Sequence, residues 1–434
     1  MKHPASLPLL TLTLAALPAA LPAADDARAI HERLITFDTH LDTPANFSKP
    51  GWDIMDRHSY ETDRSQVDYP RMVQGGLDGG FWAIFTAQGP RTPEGLAAAR
   101  DKALMRGVEI REMVAKHSDK FELAFDAADA ARIHAAGKRV VYMSVENSYP
   151  IGKDISLIQT FYTLGVRMMS PAHTSNNDLA DSATDTNGSE WQGLSPLGKE
   201  FVAECNPLGI ILGASHSADS VFDQMLELSK TPLILSHSGP KGANNHPRNI
   251  DDERIKQLAA KGGVIQINSL SGYLIPQPVI PERNAALAQL YVKFGLPAPQ
   301  ARGAGGAGGG AAGGAGRGGR GGRGGSLEGA QRTAFMQAMG EIDEHYPLPQ
   351  ATFEDYMRHI LYTLKLVGPE HVGFGADWDG GGGVEGMRDI TGCPKITERL
   401  LKEGYTEKDL ANMWSGNVIR LLKAAEDCAA KTKN

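Results

Sequence analysis

The sequence predicts an α/β fold, a (β/α)8 TIM-type barrel with a long Gly-rich insertion between the seventh and eighth strands. Three observations support this. Short apolar runs of strand length recur eight times after residue 28. Amphipathic helical stretches separate most of them, and strands alternating with helices imply a parallel sheet. Eight repeats imply closure into a barrel. A doubly wound open sheet is the competing arrangement, but no G-x-G-x-x-G follows the first strand.

The predicted strands are Leu34–Thr39, Gly80–Phe85, Val140–Val145, Val166–Ser170, Gly209–Ala214, Pro232–Ser236, Val264–Asn268 and Val372–Ala376. A short apolar run also fits a buried helix, so the alternation carries more weight than the count. Helical patterns fall at Thr92–His117, Pro196–Asn206, Ser217–Ser229, Asp251–Ala260, Ala351–Leu366 and Ser415–Lys423.

The barrel is expected to span residues 28–425, interrupted by an insertion at about 276–347. Residues 301–325 contain only Ala, Gly and Arg. Such a stretch buries too little apolar surface to offset its ordering entropy, so a disordered loop is expected. Its arginines Arg317, Arg320 and Arg323 resemble RGG-type nucleic-acid segments. No other basic or aromatic patch supports that reading, and a net charge of −7 argues against phosphate-backbone binding. No nucleic-acid partner is expected.

Residues 1–24 read as a secretory signal: Lys2 and His3, an apolar run from Leu7 to about Leu21, then Ala23 and Ala24. The run is Pro-broken and shorter than the ~20 residues of a span, which favours cleavage over an uncleaved anchor. A secreted or periplasmic protein without a stable membrane anchor is therefore expected. Cys205, Cys393 and Cys428 lack C-x-x-C spacing, which makes them poor metal ligands, although one disulfide is compatible with export.

The chemistry-bearing residues cluster at predicted strand ends, where barrel active sites lie. The first strand runs into Phe37-Asp38-Thr39-His40-Leu41-Asp42. Side chains two apart in extended chain point the same way, so His40 and Asp42 present a nitrogen and an oxygen together. H-x-D alone is weak, and a surface His with a turn Asp is the plain alternative. Glu146 follows the third strand, where a carboxylate is costly to bury unless paired or on metal, and its two oxygens suit bridging. A solvated or helix-capping Glu is the alternative. The fifth and sixth strands both end in Ser-His-Ser, at Ser215-His216-Ser217 and Ser236-His237-Ser238. This repetition is the sharpest local signal; helix-capping serines beside incidental histidines are the alternative. The eighth strand ends in Ala376-Asp377-Trp378-Asp379, with Asp377 placed as a general base or the partner of a metal-bound water; a turn residue is its alternative, a role that suits Asp379 better. Together these form five ligands and one carboxylate. The set suits two divalent ions ~3.5–4 Å apart that activate a water, with Asp377 passing its proton to a leaving amine.

These motifs, with Gln192-Gly193-Leu194-Ser195-Pro196-Leu197-Gly198 and Gly416-Asn417, resemble the membrane (renal) dipeptidase family over nearly the whole chain outside the insertion. The resemblance implies two zinc ions, one on His40 and Asp42, the other on His216 and His237, bridged by Glu146. It implies Asp377 as the catalytic Asp, His173 near the scissile carbonyl and Arg248 on the substrate's terminal carboxylate. Tyr273 is expected to line the same pocket. A dipeptide substrate follows, extending to a C-terminal D-residue, and a homodimer is common in the family. Where the family usually carries an Asp before the fifth-strand His, this sequence reads Ile211-Leu212-Gly213-Ala214. Two other functions remain open: an amidase or lactonase on the same barrel, and a non-catalytic binding protein.

Overall fold

The computed structural model describes residues 24–296, 327 and 329–433. The expected signal, but for Ala24, and the Ala/Gly/Arg stretch 301–325 lie outside the described residues. Among the described residues, no helix is long and apolar enough to cross a membrane.

The strands are β1 (Phe37–Leu41), β2 (Gly79–Phe85), β3 (Phe121–Leu123), β4 (Arg139–Glu146), β5 (Val166–Met169), β6 (Ile211–Leu212), β7 (Ile234–Ser238), β8 (Val264–Ile267) and β9 (Val372–Phe374). Each predicted strand has a counterpart whose bounds differ by a few residues. β3 was not predicted, because three residues carry no readable alternation. It pairs with the first half of β4.

Every strand pair is parallel, in two curled sheets ordered β1-β2-β4-β5-β6, with β3 on β4, and β7-β8-β9. Single parallel bridges join Gly213 to Ile234 and Leu41 to Trp378, linking the sheets at both seams. Parallel strands need crossovers, and helices such as Pro93–Lys116, Pro196–Leu208 and Asp252–Ala260 supply them. Thr92, Ser195 and Asp251 start these helices, each side chain accepting the N–H three residues on.

Toward the N-terminal ends of the strands, Phe37, Phe81, Val140, Tyr142, Met168, Ile211, Ile234 and Val264 form one apolar cluster. Val418, Leu421, Leu422 and Ala425 of the last helix, Asn417–Lys433, join it. That end is therefore filled by packed side chains, which leaves the C-terminal ends for chemistry.

Between β8 and β9, helices Pro281–Lys293 and Gly329–His345 share a small apolar cluster of their own, including Leu287, Leu290, Phe335 and Met339. Cys205, Cys393 and Cys428 are all free thiols, so the disulfide compatible with the sequence is not formed.

The Gly416-Asn417 motif acts far from the strand C-termini. Asn417 Nδ2 donates to Pro369 O at 2.7 Å and Val372 O at 2.9 Å, clamping the start of β9 to the last helix. Asn417→Ala is expected to lower stability to urea by about 1–3 kcal/mol while bound metal per chain stays unchanged.

Candidate metal centre

Six of the predicted residues meet at the C-terminal ends of the strands, and Glu146 stands at their centre. The last residue of β4, it is buried. Its Oε2 lies 3.3 Å from His40 Nε2, and its Oε1 lies 3.0 Å from His216 Nε2 and 3.1 Å from His237 Nε2. His40 Nε2 is 3.6 Å from Asp42 Oδ2. The donor atoms fall into three mutually close groups: His40, Glu146 and His237; Glu146, His173 and His216; His40, Asp42 and Asp377.

Local backbone aims these groups. Among the described residues, six non-glycines have left-handed φ, and four of them ring this site: Asn147 (63°), His216 (67°), Asp377 (68°) and Asp379 (64°). Each such residue costs about 1–3 kcal/mol, and strain of this kind persists where the surroundings enforce it. Asp38 supplies part of that enforcement, accepting His40 N–H and Ala376 N–H, both at 2.8 Å, and so tying the two strand ends that carry His40, Asp42 and Asp377. Asp379 is more than a turn residue. It accepts Thr43 Oγ1 and Gln66 N–H, both at 2.8 Å, and so holds the loops after β1 and β9 together. Gly380 passes so close that a Cβ there would collide with Asp42 Oδ2 and Asp377 Oδ1.

The serines of the two Ser-His-Ser motifs do not cap helices. Ser236 Oγ sits 2.9 Å from His237 Nδ1, and Ser215 Oγ accepts His237 N–H at 3.1 Å. His216 Nδ1 is buried with no hydrogen-bond partner among the described residues, in keeping with the absent Asp upstream.

The electrostatics suit cations. Burial opposes charge on His40, but the carboxylates of Glu146 and Asp42 outweigh it and hold the imidazole well above the usual histidine range. Burial opposes ionisation of Glu146 as well; the charges of His40 and His173 and the bonds from His216 and His237 override it and hold the carboxyl well below its usual range. Burial, then the Arg248 charge, holds His216 well below; burial, then the His40 charge, does the same for His237. Both are thereby held toward the neutral imidazole, the form that ligates metal. Burial pushes Asp377 up to about 8; His40 opposes this, and the charges of Asp42 and Glu146 add to it. Asn268 Nδ2, not picked from sequence, donates to Asp377 Oδ2 at 3.2 Å. Among the described residues no Lys or Arg lies within 4.0 Å of the carboxylates of Asp42, Glu146 or Asp377. Three clustered carboxylates with imidazole nitrogens and, among the described residues, no lysine or arginine partner make a donor set that fits divalent metal.

His173, Arg248 and Tyr273 border the cluster. His173 Nε2 is 3.9 Å from Glu146 Oε1, and its ring centroid lies 4.1 Å from that of His216. Burial lowers the His173 pKa. Arg248 is 3% exposed, and its guanidinium stands 5.6 Å from the Tyr273 ring centroid.

A sequence profile of the membrane dipeptidase family (peptidase family M19) matches residues 24–434. This chain belongs to that family. It is a hydrolase of the metallodipeptidase type. Dipeptidase tcpJ of Claviceps purpurea is 26% identical over 373 residues, 85% of this chain and 71% of that protein. The probable dipeptidase PvdM of Pseudomonas aeruginosa superposes with a TM-score of 0.76 at 28% identity, covering 94% of this chain and 99% of that one. A metallopeptidase from Rhodobacter sphaeroides, liganded with a phosphinate mimic of the dipeptide L-Ala-D-Ala, shares the fold with a TM-score of 0.67 at 21% identity, over 90% and 99% of the chains.

Because Gly380 has no room for a side chain, Gly380→Ala is expected to displace Asp42 and Asp377 together. Turnover should fall by about 10²-fold or more and bound metal should drop on elemental analysis, with the far-ultraviolet dichroism of the wild type retained.

Proposed function

We propose that this chain is an exported binuclear zinc dipeptidase on a closed eight-stranded barrel. Closure is supported by the two seam bridges and by the apolar cluster drawn from seven strands. His40 and Asp42 would hold one zinc, His216 and His237 the other, and Glu146 would be shared. Ions bound there supply the Lewis acidity that polarises a peptide carbonyl and makes water nucleophilic at neutral pH.

The observation that carries the substrate assignment is Arg248. It is a buried guanidinium with no carboxylate within 4.0 Å among the described residues; its acceptors are Ser238 Oγ and His237 O, both neutral. A buried charge lacking an opposite partner is costly, so the site favours an anionic ligand. A planar fork matches a carboxylate, and the metal cluster lies alongside, across His237. A substrate anchored by its terminal carboxylate then presents the bond next to it to the cluster. His173 donates to the carbonyl oxygen as it gains charge. Asp377, held by Asn268, takes the proton of the attacking water and gives it to the leaving amine. Burial raises the Asp377 pKa, which favours its carrying the proton to the amine, and bound cations would lower it, which favours the carboxylate that takes the proton. Tyr273 walls the carboxylate end. Tolerance of a D-residue in the second position is supported by the L-Ala-D-Ala mimic on the similar Rhodobacter fold.

Mature protein incubated with the Ala-Ala stereoisomers should cleave L-Ala-L-Ala and L-Ala-D-Ala, with about two zinc ions per chain. A chelator should abolish turnover, and Asp377→Asn should lower kcat by about 10²–10⁴-fold. Bound metal without dipeptide cleavage would favour an amidase or lactonase; neither metal nor cleavage would leave a binding protein.

A further inference from the structure

Arg248 has a long side chain on the loop after β7, and nothing in its own loop fixes its guanidinium. The fixation comes from strand ends. Nη1 donates to Ser238 Oγ at 2.8 Å, and Nη2 donates to His237 O at 2.7 Å. Ser238 Oγ lies 3.1 Å from Ser215 Oγ at the end of the neighbouring strand. Ser215 Oγ in turn accepts His237 N–H. Both backbone polar groups of His237 are thus engaged, one by Ser215 and the other by Arg248, and the two hydroxyls close the ring. All four residues are buried.

We infer that Ser238, braced by Ser215, is a positioning residue that sets where Arg248 holds the substrate carboxylate relative to the metal cluster. The inference rests on the reading of Arg248 as carboxylate anchor. Three consequences follow from the geometry. The anchor is tied to the ligand His237 by one peptide unit, so the carboxylate and the scissile bond share a frame. A carboxylate held in that frame keeps a constant position relative to His237. Losing the Ser238 hydroxyl leaves Nη1 without its acceptor, and the side chain regains freedom where the substrate needs it held. The defect should therefore appear in the grip on the carboxylate rather than in the chemistry.

The test compares zinc-loaded wild type, Ser238→Ala and Ser238→Thr. Substrates are L-Ala-L-Ala and its C-terminal amide, and D-alanine binding is measured by calorimetry. Ser238→Ala should raise KM for the dipeptide and weaken D-alanine binding by about tenfold, with kcat within about threefold of wild type and zinc content unchanged. Ser238→Thr, which keeps the hydroxyl, should restore both. The amide lacks the carboxylate and should be insensitive to the substitution. Unchanged KM and D-alanine binding in Ser238→Ala overturn the positioning role alone, as do an equal loss on the amide, a fall confined to kcat or a loss of zinc. A wild type that neither binds D-alanine nor prefers the dipeptide over its amide overturns the anchor reading and this inference with it.

Discussion

The buried carboxylate of Glu146 is the constraint on which the rest of the site depends. It ends the longest strand and meets imidazole nitrogens from β1, β7 and the segment after β6. A bare carboxylate at that depth is untenable. Its neighbours therefore define the site: imidazole nitrogens on one side, the further carboxylates of Asp42 and Asp377 on the other, and, among the described residues, no lysine or arginine in direct contact. Clustered carboxylates and imidazoles of this kind are the donors that divalent cations take.

Holding these groups against their mutual repulsion requires a stiff frame. Asp38 ties β1 to β9, Asp379 and Gln66 tie the adjoining loops, and Asn268 holds Asp377. Asp379 and Gln66 are joined reciprocally, each accepting the other's backbone N–H. The left-handed residues at the rim store strain that only such a frame sustains. The opposite end of the strands is a solid apolar layer sealed by the last helix, so stability and chemistry occupy opposite ends of the same strands.

Most of the candidate site was legible because the donor residues lie at the ends of apolar runs, and the end of a strand is a position that sequence reveals. The doubled Ser-His-Ser was visible as a pattern, but its meaning was not. Nothing in a linear string says that Ser215 reaches the backbone of His237 rather than a helix terminus. Gln66 and Asn268 stayed unread, and Asp379 was read only as a turn residue, for the same reason. Their partners are 313 residues away for Gln66 and 109 for Asn268. His173 and Arg248 stood out only through the family resemblance, since both lie on loops with no periodicity. β3 was too short to show.

The sequence by itself determined the alternation of strands and helices, and with it the parallel sheet and the row of donors at strand ends. Those properties follow from hydrophobic periodicity and residue chemistry, which are local. Tertiary structure alone decided that the donors converge on Glu146, that His216 and Asp377 turn inward through left-handed backbone, and that Arg248 is buried with no carboxylate in contact among the described residues. Convergence depends on how the curled sheets bring distant strand ends together, and burial on what packs over them. Neither property belongs to any short stretch of chain.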